Sequence, residues 1–212
     1  MQTFDRVGIK EESKALLSRY RSICVLMFLY IVVAEAVLAS ISLGFLSFVL
    51  SGLITVTAAF FFIACWREKP VQVGEAISNT FDAGFLRKLG GMLWMQLKVF
   101  LWSFLFILPG IIKYYSYILT DYVLADCQNV RSTDACRLSE KMMHGHRAEY
   151  FLMELSFSGW MLLSAMTFGI LYVVYVGPYI QLTKAGIYEE LKQIALETGA
   201  VTQAELDGQA FI

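Results

Sequence analysis

The feature that most constrains this chain is one pattern written three times: a basic residue, an apolar stretch, a glycine and a second apolar stretch. The basic residue and the glycine are 23 residues apart in every repeat: Arg21 and Gly44, Arg87 and Gly110, His146 and Gly169. Two apolar stretches joined at a glycine are typical of a helical hairpin that enters and leaves a membrane on one side. The sequence therefore predicts three such hairpins.

The composition supports a membrane location. Of the 212 residues, 58% are hydrophobic and 17% are charged, which is more apolar and less charged than a typical soluble domain. Stretches that approach the ~20 residues of a transmembrane helix occur at 23–40, 44–65, 91–108, 111–126, 150–165 and 169–185. A charge or a proline interrupts each of the last four stretches. A count of four or five crossings, with some segments re-entrant, is therefore an alternative to six.

We expect an all-α polytopic membrane protein with about six transmembrane helices, paired as pseudo-repeated hairpins at about 23–65, 91–126 and 150–185. Residues 1–192 would form a single integral membrane domain. Residues 193–212 would form a short cytoplasmic tail that is helical or frayed.

An amphipathic interfacial helix is predicted before each hairpin, at about 9–22, 75–90 and 132–146. Apolar residues recur in these segments at helical spacing among charges, and such helices can lie among lipid headgroups. They either anchor the hairpins or offer a platform for lipids or a partner. In the tail, Thr202 and Glu205 have the spacing of a helix capping box.

Charge placement predicts the orientation. Of the 17 Lys and Arg residues, all except Lys98 and Lys113 lie on one side of the six-helix arrangement, whereas the opposite connections at 40–43, 109–110 and 166–168 carry no charge. Basic residues accumulate in cytoplasmic loops. We therefore expect a multi-pass protein of the bacterial cytoplasmic membrane with both termini in the cytoplasm.

Charged residues inside the apolar stretches are the first functional candidates, because an ionisable group at mid-bilayer costs about 3 kcal/mol and usually faces protein or water. They are Glu35, Lys98, Lys113, Asp121 and Glu154. Counted from Gly110, Lys98 and Asp121 should reach similar depth on adjacent helices, which predicts an ion pair between them. Glu154 is expected to pair with Arg147 or Arg87, and Glu35 has no evident partner.

Prolines and one lysine mark the remaining features of the spans. Pro109 and Gly110 are expected to form the outer turn of the second hairpin. Pro178 removes a backbone hydrogen bond inside the sixth stretch and should kink that helix, either for packing or as a hinge. Lys113 lies one helical turn from the outer connection, where it either snorkels as an anchor or has a functional role.

The sequence gives little reason to expect a cofactor or a metal. All four cysteines lie at or near predicted cytoplasmic ends, where structural disulfides are rare. Cys127, Cys136, His144 and His146 match no compact zinc motif, so buried thiols and interfacial imidazoles are the favoured interpretation. A net charge of -1 with basic residues at the membrane surface gives no indication of nucleic-acid binding.

Short motifs in the second half of the chain form an ordered series that includes Pro109, Gly110, Tyr117, Asp126, His146, Trp160, Pro178 and Tyr179. In this series, over about residues 70–192, the chain resembles the bacterial integral membrane family catalogued as domain of unknown function 975. The resemblance implies bacterial membrane placement and no reaction, since the family is uncharacterised in activity. More distantly, the layout is similar to the membrane domain attached to some glycerophosphodiester phosphodiesterases; here the catalytic domain is absent, so that activity is not carried over.

Three function classes follow. The favoured hypothesis is a non-enzymatic membrane protein that interacts with lipids, a membrane-protein partner or a second copy of itself. The second is a small carrier of lipid or amphipathic peptide, with the intramembrane charges lining a cavity. The third and weakest is an enzyme acting on lipid headgroups through Asp126, His144 and His146.

Overall fold

The computed structural model describes residues 3–40, 45–81, 84–105 and 107–209. Every regular element within these residues is helical, which confirms the all-α prediction. The α-helices are α1 (Arg6–Arg19), α2 (Arg21–Ser40), α3 (Phe45–Trp66), α4 (Val73–Phe81), α5 (Phe85–Leu105), α6 (Ile107–Tyr117), α7 (Thr120–Asp126), α8 (Ser132–Met142), α9 (Arg147–Leu155), α10 (Ser158–Met166), α11 (Gly177–Glu197) and α12 (Gln203–Leu206). A π-helical turn, Tyr172–Val176, leads into α11.

Helix α3 lies at the centre of the bundle and packs against α2, α4, α5, α7 and α11. Its buried face includes Val56, Phe61 and Phe62, which are completely covered by protein. Helix α11 contacts α1, α2 and α3, and its buried side chains share one core with Val201 and Leu206 near the C-terminus. The bundle is therefore built around two long helices, one from each half of the chain.

Three of the predicted apolar stretches are interrupted. A turn separates α6 from α7, another separates α9 from α10, and the π-helical turn precedes Pro178. A residue distant in sequence stabilises the turn between α6 and α7. The Ser139 hydroxyl of α8 donates to the Ser116 carbonyl and accepts from the Leu119 N–H. The third break agrees with the predicted kink, since Pro178 has no N–H to give to the preceding turn.

Among the described residues, α2 is the one helix that is both long and apolar enough to cross a membrane. The apolar part of α3, Leu50–Trp66, is shorter than α2. Helix α6 has 11 residues and α9 and α10 have nine each. These lengths are well below the ~20 residues of a full crossing.

The predicted second turn is wrong in detail. Pro109 and Gly110 lie inside the first turn of α6, which begins at Ile107, whereas α5 ends at Leu105. A proline is tolerated in the first helical turn, where its missing N–H would have no intrahelical acceptor. Gly110 meets α5 closely, since a Cβ there would lie 2.8 Å from the Ser103 Cα. Gly44 of the first repeat lies outside the described residues.

Helix α1 has 14 residues, as predicted, but begins three residues earlier, and α8 ends four residues before its predicted bound. Both helices turn their apolar faces to protein. Leu16 and Leu17 of α1 and Leu138 of α8 are buried in the core. The 75–90 segment instead divides into α4 and the start of α5, where Phe81 stacks on Phe85 at 5.7 Å and is 60% exposed. This segment therefore keeps an exposed aromatic side chain at the end of α4.

Helix α11 runs past residue 192 to Glu197, so the first residues of the predicted tail are helical. The capping box is confirmed: the Thr202 hydroxyl accepts from the Glu205 N–H, and the Glu205 carboxylate accepts from the Thr202 N–H. Val201 and Leu206 are buried. The segment after α11 is thus docked on the bundle through an apolar contact.

Candidate functional site

A cleft of about 560 Å³ lies between α3, α5, α7 and α11, and we call it the inner cleft. Its size is within the usual range of small-ligand sites. Apolar side chains such as Met92 and Phe100 line it together with Ser51, Thr55, Gln96, Ser103, Tyr114, Asp121, Tyr150, Gln181 and Lys184. A cavity with apolar walls and several polar side chains suits a ligand that has both an apolar and a polar part.

Asp121 and Lys184 bring opposite charges into the inner cleft. Asp121 begins the first turn of α7, where its Oδ1 accepts from the Tyr122 N–H at 3.0 Å. The predicted Lys98–Asp121 ion pair is wrong, because the Lys98 ammonium lies over the rings of Trp94 and Tyr117, at 5.4 and 5.1 Å. Asp121 forms no ion pair with any described residue.

Glu154 fixes the lysine of the cleft. Its carboxylate lies 3.2 Å from the Lys184 ammonium and accepts from the Tyr115 hydroxyl at 2.9 Å. Pairing with Arg147 or Arg87, as predicted, is therefore wrong. The break between α9 and α10 follows directly after Glu154, so the helix ends close to the side chain that it positions.

Tyr150 adds a hydroxyl to the same region. The residue is 1% exposed, and its hydroxyl has no hydrogen-bond partner among the described residues. A buried hydroxyl without a partner is costly, and it is a feature of sites that take up a polar ligand or a water molecule. Tyr150 also lines the inner cleft.

The other intramembrane candidates lie elsewhere. Lys113 binds Glu140 of α8 at 2.6 Å and lies over Trp102. Glu35 is half-buried on α2 and forms no ion pair within the described part of the chain. Neither residue lines the inner cleft.

Asp126 belongs to a charged cluster below the cleft. Its carboxylate binds Arg67 at 2.6 Å and Lys192 at 2.5 Å, and it accepts from the Tyr188 hydroxyl at 3.0 Å. Arg67 also binds Glu189 at 2.6 Å. Burial acts to lower the pKa of Arg67, but its hydrogen bond to Asp126 and the two carboxylate charges outweigh this effect and raise it. The cluster ties α3, α7 and α11 together.

The residues that the enzyme hypothesis requires do not lie together. His146 is buried, its Nδ1 lies 3.1 Å from a Glu149 carboxylate oxygen, and it lines a small cavity with His144. Asp126 lines a different cavity. Across the described residues, no three His, Cys, Asp or Glu side chains are grouped in a way that would hold a metal ion. All four cysteines are free and buried.

The remaining motif residues lie outside the inner cleft and pack between helices. Tyr117 is buried beneath the ammonium groups of Lys98 and Lys113. Tyr179 packs edge-on against Phe157 at 5.3 Å, and Pro178 lies beside it at the start of α11. Trp160 contacts Tyr175 at 5.7 Å on the exposed side of α10. These residues position helices and do not enter the cleft.

Lys184, Tyr150 and Gln181 were missed by the sequence prediction. Lys184 was assigned to a cytoplasmic helix end from charge placement alone and was not paired with Glu154. A usable signal was the pairing of the two residues 15 positions on either side of Gly169, Glu154 and Lys184.

No curated protein and no solved structure matches this chain. A family model described as "Protein of unknown function (DUF975)" matches residues 107–195, a segment that runs from α6 into α11 and omits the first hairpin. The match begins at residue 107, whereas the predicted resemblance began at about residue 70. Over residues 107–195, the predicted resemblance to the DUF975 family of unknown function is confirmed.

Proposed function

We propose that this protein is a multi-pass integral protein of the bacterial cytoplasmic membrane that binds a lipid or lipid-like amphiphile in the inner cleft without catalysing a reaction on it. The observation that carries the proposal is the inner cleft itself, in which Asp121, Lys184 and the Tyr150 hydroxyl lie between apolar walls. The polar head of an amphiphile would hydrogen-bond these groups. Its apolar part would follow Met92 and Phe100.

Exposed apolar side chains support the membrane part of the proposal. Val33 of α2, Phe100 of α5, Leu162 of α10 and Phe168 after it are 52%, 68%, 70% and 98% exposed. A water-soluble monomer rarely exposes such large apolar side chains on several helices together. Lipid would cover them without the cost of ordering water.

Contacts near the α5–α6 tip support a shallow insertion of the second hairpin, and the nine-residue helices α9 and α10 support it for the third. Lys113 binds Glu140, and the next residue of α8, Lys141, binds Glu205 of the C-terminal segment. The α5–α6 tip therefore extends only a short way beyond a region that also holds the C-terminus. In this proposal, α2 and α3 cross the membrane, the other hairpins are re-entrant, and both termini stay in the cytoplasm.

The test is retention of lipid by the full chain purified in lipid nanodiscs of phosphatidylethanolamine and phosphatidylglycerol, then released and read by native mass spectrometry. We expect the wild type to retain a bound amphiphile. Thr55→Phe, which places a ring into the cleft from α3, should lose it. The matched control is Val33→Phe, which adds a ring to an exposed position outside the cleft.

A second pair of variants tests the polar contact. Asp121→Asn should reduce retention, whereas Glu35→Gln, an intramembrane acid outside the cleft, should leave it unchanged. Equal retention by wild type and Thr55→Phe would show that the inner cleft is not the binding site. Turnover of the bound lipid into a new mass would contradict the non-enzymatic part.

A carrier is the second candidate, and the helix breaks favour it. The α6–α7 break lies directly before Asp121, and the π-helical turn ends at Val176, two helical turns before Lys184. Interrupted helices beside a polar site are a feature of transporters. Proteoliposomes with a fluorescent phospholipid and an external quencher distinguish the two: a carrier accelerates loss of the inner-leaflet signal, and Thr55→Phe abolishes that acceleration.

A further inference from the structure

Three cations on α1 form a stripe that has no acidic partner. Arg6, Lys10 and Lys14 follow each other at four-residue spacing, which places them on one side of the helix. None of them forms an ion pair with a described residue, including Glu11 and Glu12 of the same helix. An unneutralised row of positive charge is a binding surface for an anion.

The protein holds this stripe against aromatic and hydroxyl groups. The Lys10 ammonium donates to the Ser156 hydroxyl at the α9–α10 break and lies 4.8 Å from the centre of the Phe157 ring. The Lys14 ammonium lies 5.9 Å from the centre of the Tyr179 ring. Ring faces attract cations but carry no net charge, so they hold the two lysines in place without neutralising them.

The electrostatics agree with this arrangement. Burial and the positive charges of Lys14 and Arg6 together lower the pKa of Lys10. A bound anion would remove the repulsion among the three cations. The described residues thus leave the positive charge of the stripe without an acidic partner.

An aromatic ladder leads from these cations to an apolar surface. Tyr179 contacts Tyr175 at 6.0 Å, and Tyr175 contacts Trp160 at 5.7 Å. Trp160 is 37% exposed and its neighbour Met161 is 47% exposed. A molecule with an anionic head and apolar chains would match both ends of this path, with its head at α1 and its chains along α10.

We propose that Arg6, Lys10 and Lys14, together with the Ser156 hydroxyl, bind the phosphate group of an anionic phospholipid at the cytoplasmic surface of the membrane. The phosphate would accept charge-assisted hydrogen bonds from the three cations. The acyl chains would lie against Trp160 and Met161. This site is separate from the inner cleft, since none of these residues lines that cavity.

The experiment is a thermal-shift titration of the full chain in a neutral detergent with dioctanoyl phosphatidylglycerol, dioctanoyl phosphatidylcholine or inorganic phosphate. A ligand that binds the folded state raises Tm with concentration, which gives an apparent affinity. We expect phosphatidylglycerol to bind more tightly than phosphatidylcholine, whose choline group cancels the phosphate charge. The inorganic phosphate series shows whether a free phosphate fills the same site.

The diagnostic variant is Arg6→Gln/Lys14→Gln, because both side chains are exposed and their removal leaves the core intact. We expect its affinity for phosphatidylglycerol to fall about fivefold for each cation removed. Lys10→Gln should add a further loss. The control Lys69→Gln/Arg131→Gln removes two exposed charges from other loops and should bind like the wild type.

Each outcome decides the proposal. Equal losses in the control and diagnostic variants, or equal shifts with the two lipids, would overturn it. If inorganic phosphate matches the phosphatidylglycerol shift and Arg6→Gln/Lys14→Gln abolishes both, the phosphate site stands with free phosphate as its ligand. Thr55→Phe should keep the phosphatidylglycerol response, so that failure of the inner cleft and failure of this site can be told apart.

Discussion

The first hairpin and the second half of the chain differ in the continuity of their helices. Helices α2 and α3 run without interruption for 20 and 22 residues. From α6 onward, the helices are broken at two turns and one π-helical turn, and Asp121, Glu154 and Lys184 lie at or near those breaks. The difference indicates that the continuous helices form the scaffold. The interruptions change the backbone direction, so that nearby charged side chains face the interior of the bundle.

Cysteine labelling in intact cells gives the largest expected contrast between these regions. Ser40→Cys, at the far end of α2, should react with a membrane-impermeant maleimide added outside the cells. Ile111→Cys and Phe168→Cys, near the tips of the other hairpins, should stay unlabelled, because the proposed re-entrant tips would remain within the bilayer. The control Ser18→Cys, on exposed α1, should react only after the cells are opened.

External labelling of Phe168→Cys would show that the third hairpin crosses completely, and the contrast with α2–α3 would then fail. The four native cysteines are buried, so they add little background. Labelling of Ser18→Cys from outside would reverse the proposed orientation.

The charged cluster that joins the two regions should be the next most sensitive. Asp126→Ala removes the carboxylate that binds Arg67 from the first half and Lys192 from the second. Leaving two cations without it should lower the free energy of unfolding by about 2–3 kcal/mol, somewhat less than the loss of a fully buried pair, because Arg67 is partly screened by water. Thermal unfolding in detergent, followed by size-exclusion chromatography, measures the loss.

The matched control is Glu68→Ala. Its partner Arg19 and Glu68 itself are 59% and 60% exposed. Such a pair contributes about 0.5 kcal/mol or less. If Glu68→Ala and Asp126→Ala destabilise equally, the cluster is not what ties α3 to α11.

The sequence predicted the first region better than the second for a physical reason. The predicted stretches 23–40 and 44–65 nearly coincide with α2 and α3, because a continuous apolar helix is encoded locally. The α6–α7 break depends on Ser139, 20 residues from Leu119, and no local pattern reveals it. Depth counted along a straight helix then paired Asp121 with Lys98, whereas the broken helices bring Lys184 to the cleft.

Close packing between the two regions predicts a smaller effect. A Cβ on Gly177 would lie 2.1 Å from Cζ of Phe28, so Gly177→Ala requires either the buried Phe28 ring or α11 to move. We expect a loss of about 1–3 kcal/mol in the free energy of unfolding. Gly159→Ala on α10 meets nothing within 4 Å and should stabilise by about 0.5–1 kcal/mol through helix propensity. Equal effects on Tm would contradict this contact.

The smallest effect concerns the C-terminal segment, which docks on the second region. Glu205 binds Lys141 at 2.6 Å and closes the capping box of α12. Burial acts to raise the pKa of Glu205, but the hydrogen bonds from Lys141 and the Thr202 N–H outweigh it and lower the pKa. A lowered carboxyl pKa means that the docked state is favoured above the unfolded pKa of about 4.3, and that this stabilisation is lost as pH falls through the lower folded value.

Glu205→Gln at pH 7 removes the charge without acid and should weaken docking by about 1 kcal/mol. Hydrogen exchange of residues 200–207 in nanodiscs measures it as faster exchange in that segment alone. Glu197→Gln, an exposed acid at the end of α11, should leave exchange unchanged. Lys141→Gln should reproduce the effect of Glu205→Gln, and the double variant should add little, since both remove one ion pair. Additive effects would instead mean that Glu205 acts through the capping box alone, and the C-terminal segment would then be held to α8 by Val201 and Leu206 without electrostatic help.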